Sequence, residues 1–190
     1  MSIKEKLGVV GANLLMLLII AAATVYQDWP PIRAKRLVSA AENSDSVIIF
    51  RLQGTPEQST PEDFPILPYD TVHPTYGSRE LTGEDLTGFL DVWKNFPVDD
   101  TRPSIMCHYA VYGIRFYRKE KLIFQTSLSW ACENFYVDTR FFGSNNWIGF
   151  DSGSADGRSL LGFCDALLPY DRGYQERTEK ELEAFMKSLE

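Results

Sequence analysis

Three kinds of side chain in the middle of this chain can do chemistry: the thiols of Cys107 and Cys132, the imidazole of His108, and the guanidinium of Arg115, with Tyr117 and Gln125 as polar company. Two cysteines can join as a disulfide, work as a redox couple or, with a histidine, hold zinc. A redox thiol needs an accessible thiolate of lowered pKa, often within Cys-X-X-Cys, and neither cysteine has a partner at that spacing. Zinc needs four ligands, and Cys107, His108 and Cys132 leave the fourth without a residue at recognisable spacing, so no metal or cofactor is expected. Arg115, Tyr117 and Gln125 are the candidate ligand contacts. Phe135, Tyr136, Phe141, Phe142, Trp147 and Phe150 form either a carbohydrate or peptide platform or, as such density on short strands usually does, core.

Other chemistries find less support. There is no G-x-S-x-G, and with only His73 and His108 available a Ser-His-Asp set has few ways to form, so no catalytic residue is assigned. The segment from Asp151 to Gly157 is like a calcium loop, but Gly153 and Ala155 stand where oxygen ligands belong, which makes it a turn into a helix. Glu62-Asp63 and Asp99-Asp100 are adjacent pairs in loops, where solvated charge is the ordinary state. His73, beside Pro74, reads as solvated too. Cys164 falls on the apolar stripe of a helix and reads as an inert core thiol.

The elements that position the central residues are two strand-like runs, Ile105 to Arg118 and Leu122 to Cys132, joined at Lys119-Glu120-Lys121. A three-residue loop places Ile114 and Phe116 on the face of Leu122 and Phe124. A bulge is expected at Gly113, because glycine inside a strand pattern often marks an extra residue. Val111, Tyr109 and Cys107 then oppose Leu128, Trp130 and Cys132, while His108 and Ala110 take the other face. Directly opposed residues have Cα atoms about 4.5–5.5 Å apart, within disulfide reach. Cys107 and Cys132 are therefore the expected bridge, and outside the cytoplasm the bonded state is the expected one.

Around the hairpin, Ser46 to Leu52 is β-branched and apolar enough for a strand. Prolines from Pro56 to Pro74 make residues 54–78 a long loop with extended pieces near Phe64-Pro65-Ile66-Leu67. Thr82 followed by Asp85 resembles a capping box ahead of Leu86, Phe89, Leu90 and Trp93, predicting a helix from Gly83 to Asn95. Leu160, Phe163, Cys164 and Leu167 repeat that spacing before Pro169, and Leu182, Phe185, Met186 and Leu189 repeat it again.

The segments CHYAVYGIRFY, Cys107 to Tyr117, and TSLSWACENFY, Thr126 to Tyr136, resemble a group of small uncharacterised bacterial exported proteins. In that group a cysteine precedes a Y/H-G-I/L-R-F segment and a C-W-x-C segment follows. The resemblance covers less than the central third of the chain, and Ser129 stands where the first cysteine of C-W-x-C belongs, a departure that counts against a CxxC centre or thiolate metal site. It implies export and supplies no activity.

Compartment is set by the apolar run from Gly8 to Val25, behind a basic leader at residues 1–7 that carries Lys4 and Lys6. The run is at the short end of the roughly 17–25 residues a helix needs to cross about 30 Å of hydrocarbon. A transmembrane anchor is expected, with a signal segment cleaved near Ala21 or Ala23, and a secreted product, as the alternative. Arg33, Lys35 and Arg36 lie in a juxtamembrane segment, residues 26–45, and nearly balance the charge across the run. A short basic leader nevertheless favours the domain outside the cytoplasm.

Five basic and two acidic residues precede Leu37, so of 19 basic and 26 acidic residues 14 and 24 remain beyond it, a net charge of −10. Such a domain lacks the basic face nucleic acid needs. Hydrophobic content of 44% with 13% aromatic residues is enough for a core. The expected fold class is α+β: residues 46–190 as one domain, a mainly antiparallel sheet with helices packed on one face, after an N-terminal hydrophobic helix. The expected protein is membrane-anchored through residues 8–25 and binds an unidentified protein or small molecule without catalysis. The alternatives are an exported enzyme using carboxylates and Arg115, and a thiol redox or metal protein.

Overall fold

A computed structural model describes residues 15–17, 37–54, 56–66, 71–96, 98, 107–137 and 147–170, with scattered residues between 173 and 187. Alternating apolar residues build the main sheet from β1 (Ser46–Arg51), β4 (Ser78–Leu81), β5 (Tyr112–Arg118), β6 (Lys121–Ser129), β7 (Asn134–Val137) and β8 (Trp147–Gly149). Its order is β4-β1-β5-β6-β7-β8, and every neighbouring pair is antiparallel. β2 (Asp63–Ile66) and β3 (Thr71–Pro74) form a separate two-stranded sheet. The α+β class, with a mostly antiparallel sheet, is thus as the patterning predicts.

One sheet face is covered by α1 (Gly83–Lys94) and α2 (Ala155–Leu167). Leu86, Phe89 and Trp93 of α1 and Leu160 and Cys164 of α2 share one buried cluster with Val47, Ile49, Ile114, Phe116 and Phe135 of the sheet. Leu37 and Ala41, from a helical segment over residues 37–42, belong to it as well, so the packed core reaches ahead of residue 46. The Thr82 side chain makes no capping bond, contrary to the capping-box reading; Gly83 instead enters the helix at φ +56°, a conformation open to glycine. Ser154 does cap α2, accepting from the Gly157 amide, so residues 151–154 turn into the helix as predicted and Ala155 to Gly157 form its first turn. Described residues between 173 and 187 are helical, whereas Leu182, Phe185, Met186 and Leu189 lie outside the described residues.

The opposite sheet face is covered by the β2–β3 hairpin, inside the stretch read as a long loop. Phe64 and Ile66 of β2 are buried there against Phe50, Leu52 and Ala110. β4 likewise lies in sequence that gave no strand signal. His73 sits exposed on β3, opposite Phe64.

The register of the β5–β6 hairpin differs from the predicted one. Only Lys119 and Glu120 form the turn, both at positive φ, as two-residue hairpin turns require. Arg118 pairs with Lys121 and Tyr117 with Leu122; the register then shifts between Phe116 and Tyr117, leaving Ile123 as the extra residue. Phe116 and Ile114 still share a face with Phe124, but Leu122 falls on the other face and is 39% exposed. Gly113 is not a bulge. It pairs regularly with Ser127, and a Cβ there would lie 2.6 Å from the Phe64 ring, so glycine is what lets the β2–β3 hairpin approach.

Among the described residues no helix is long and apolar enough to cross a membrane. Residues 1–14 and 18–36 lie outside the described ones, and with them nearly all of the predicted anchor and the basic cluster at Arg33, Lys35 and Arg36.

Candidate functional site

Cys107 and Cys132 come within disulfide distance, their Cα atoms 6.0 Å apart, though not as opposed strand residues. β6 ends at Ser129, and Cys132 sits in the turn that follows, which Glu133 completes at positive φ. Cys107 lies in a stretch, residues 107–110, that is outside any strand. The predicted Tyr109–Trp130 pair does not form, because the strand pairing it required ends at Tyr112. Tyr109 is 38% exposed, while Trp130 packs edge-on against Tyr112 and Phe150 in the helix-side core.

His108 and Ala110 do take the face opposite the helices. There His108 meets two residues that the sequence reading passed over, Ser127 on β6 and Asn134 on β7. The Asn134 Nδ2 donates to the Cys107 carbonyl at 2.8 Å, which turns its Oδ1 toward His108 Nδ1 at 2.7 Å. Nδ1 therefore carries the proton, and Nε2 offers its lone pair to the Ser127 hydroxyl at 2.7 Å. Protons thus point one way along the chain: Ser127 to His108, His108 to Asn134, Asn134 to Cys107. Burial lowers the His108 pKa to about 4; the bond to Asn134 opposes this and the charge of His73 adds to it. The imidazole is neutral near pH 7, as the lone pair at Nε2 demands.

A serine hydroxyl on an imidazole that is itself held by a third group is the arrangement of an activated nucleophile. Two features oppose that use. Ser127 is only 3% exposed and Asn134 only 1%, so an acyl group has no path to the hydroxyl in this conformation. A base with its pKa near 4 also accepts a proton weakly at pH 7. The readable signal for the missed residues was alternation: Gln125, Ser127 and Ser129 place a polar stripe on the face predicted for His108.

Arg115, Tyr117 and Gln125 share this face but not one site. Arg115 donates through Nη1 to Glu62 Oε1 at 2.7 Å, through Nη2 to the Asp63 carbonyl at 3.2 Å and through Nε to Gln125 Oε1 at 3.3 Å. Its guanidinium also stands 4.7 Å from the Phe50 ring centroid and 5.1 Å from that of Phe64. Arg115 and Gln125 therefore fasten the β2–β3 hairpin to the sheet. Tyr117 lines an open depression with Ile48, rimmed by Asp45, Glu80, Lys119 and Glu120.

Among the aromatic candidates, Phe135 and Phe150 are core, fully enclosed on the helix side. Tyr136 and Trp147 lie on the other face, Trp147 edge-on to both Tyr136 and His108. Phe141 and Phe142 are outside the described residues, as are Asp99 and Asp100. Cys164 is buried, and burial, with Asp165 adding to it, pushes its thiol far above the ordinary value. Among the described residues no three metal-ligating side chains converge. No family model, curated protein or solved structure matches the chain.

Proposed function

We propose that this chain is a membrane-held domain that works outside the cytoplasm and binds a partner or ligand rather than turning over a substrate. The observation that carries this reading is the Cys107–Cys132 pair, placed for a disulfide in a chain with an apolar run at residues 8–25. Such bonds persist in oxidising compartments and are rare in the cytosol. Binding without catalysis is supported by the enclosure of Ser127 and by the commitment of Arg115 to the hairpin. A surface open to a ligand among the described residues is the depression at Tyr117 and Ile48, which the carboxylates of Glu80 and Glu120 border.

The test is made on intact cells. Protease added outside should digest the domain, and a maleimide applied after denaturation without reduction should modify Cys164 alone. A domain protected from external protease, or three reactive thiols in the exported protein, overturns the reading. A mature N-terminus near Ala23 would replace anchoring by release.

One observation favours a second reading, a nucleophilic enzyme: the one-way hydrogen-bond chain ending on Ser127. A fluorophosphonate that labels the native protein, and fails to label Ser127→Ala, would establish it. Binding without catalysis predicts no labelling.

A further inference from the structure

Residues 107–110 are attached to the sheet chiefly through side chains. Val111 begins the ladder, its amide donating to the Leu128 carbonyl at 2.8 Å. Ahead of it, the contacts are with side chains. The Tyr109 amide donates to Ser129 Oγ at 3.2 Å, the Cys107 carbonyl accepts from Asn134 Nδ2, and the His108 ring lies between Asn134 and Ser127. Ser129 Oγ also accepts from the Cys132 amide at 3.2 Å, so one hydroxyl joins Cys132 to the strap at Tyr109. The three polar side chains so engaged are almost wholly enclosed: Ser127 is 3%, Ser129 0% and Asn134 1% exposed.

We infer that residues 107–110 form a redox-latched strap, which covers the polar floor of Ser127, Ser129 and Asn134 while Cys107 is bonded to Cys132 and uncovers it when a dithiol reduces that bond. The two sulfurs differ in access, since Cys107 is partly exposed and Cys132 is 2% exposed. A dithiol's thiolate therefore attacks Cys107 Sγ, and Cys132 leaves as the thiolate and takes up a proton. The second thiol of the reductant then displaces Cys107, which is protonated in turn, and the reductant departs as its own disulfide. What then holds the strap is side-chain hydrogen bonds, each worth about 0.5–1.5 kcal/mol net, with the burial of Ala110 beside Phe50 and Phe64 and the edge contact of His108 with Trp147, and opening needs only this local set to give way. The ladder from Val111 onward keeps its backbone bonds and its core.

The experiment is amide hydrogen exchange on the full chain, oxidised and after dithiothreitol, with Tyr109 reporting the strap and Val111 the ladder. On reduction the Tyr109 amide should exchange at least about tenfold faster relative to Val111. The Cys107→Ser/Cys132→Ser variant should reproduce the reduced behaviour without reductant. The inference is overturned if Tyr109 and Val111 accelerate by the same factor, which makes the bond a staple of the whole fold, or if Tyr109 does not accelerate at all.

Discussion

Acidification should unload stability through His108. The folded-state pKa lies near 4, against 6.5 for the free side chain, because burial disfavours the imidazolium. Between those values the unfolded chain binds a proton that the native state refuses, so the contribution is fully present above pH 6.5 and is lost as pH falls toward 4. A shift of this size is worth about 2 kcal/mol at pH 5 and about 3 kcal/mol by pH 4, at 1.36 kcal/mol per pKa unit. Carboxylates titrate over the lower part of the same range, so the measurement is differential. Urea unfolding of the wild type and of His108→Gln is compared at pH 7.5, 6, 5 and 4. Glutamine retains a hydrogen-bonding group but has no proton to gain, so the wild type should lose about 2 kcal/mol more than the variant between pH 7.5 and pH 5. Equal pH dependence of the two proteins would refute the reasoning, as would a His108 ring resonance titrating near 6.5 in the folded protein.

The same packing yields other outcomes. Gly113→Ala should destabilise by about 1–3 kcal/mol in thermal or urea unfolding, through collision with Phe64, and Phe64→Leu should recover part of the loss in the double variant. Arg115→Met should cost about 1–2 kcal/mol, the sum of a half-exposed ion pair and two ring contacts, and should make the β2–β3 hairpin the first site of limited proteolysis. Removing both Cys107 and Cys132 should lower unfolding stability by about 3 kcal/mol, given the 25-residue separation, whereas Cys164 should stay unreactive toward maleimide until the protein unfolds.

The helices were legible because their burial depends on one periodicity: Leu86, Phe89 and Trp93, and Leu160 and Cys164, fall inward wherever the chain turns every 3.6 residues. Strand pairing depends instead on the turn, and Lys119-Glu120 conceals its geometry. Residues at positive φ in a two-residue hairpin are usually glycine, asparagine or aspartate, so lysine and glutamate suggest a longer loop. That one-residue difference moved the bulge from Ile123 to Gly113 and placed Leu122 on the wrong face in the predicted arrangement. The β2–β3 hairpin was hidden by Pro65 and Pro74, which are tolerated because a two-stranded sheet consists only of edges.

The cysteine pairing survived the wrong register for a physical reason. Cys107 lies on a strap and Cys132 in a turn, segments that no ladder constrains, so their approach depends on which side chains anchor them. Ser129 serves both, accepting from the Tyr109 and Cys132 amides, and Asn134 takes the Cys107 carbonyl. A strand residue with no long side chain leaves room for a peptide to lie across it, and a hydroxyl or amide there satisfies the N–H and C=O groups that no neighbouring strand reaches. A cysteine at position 129 would fill the same space but bond those amides far more weakly than a hydroxyl does. The hydroxyl of Ser129 is thus the shared acceptor that ties residue 109 to the turn of Cys132.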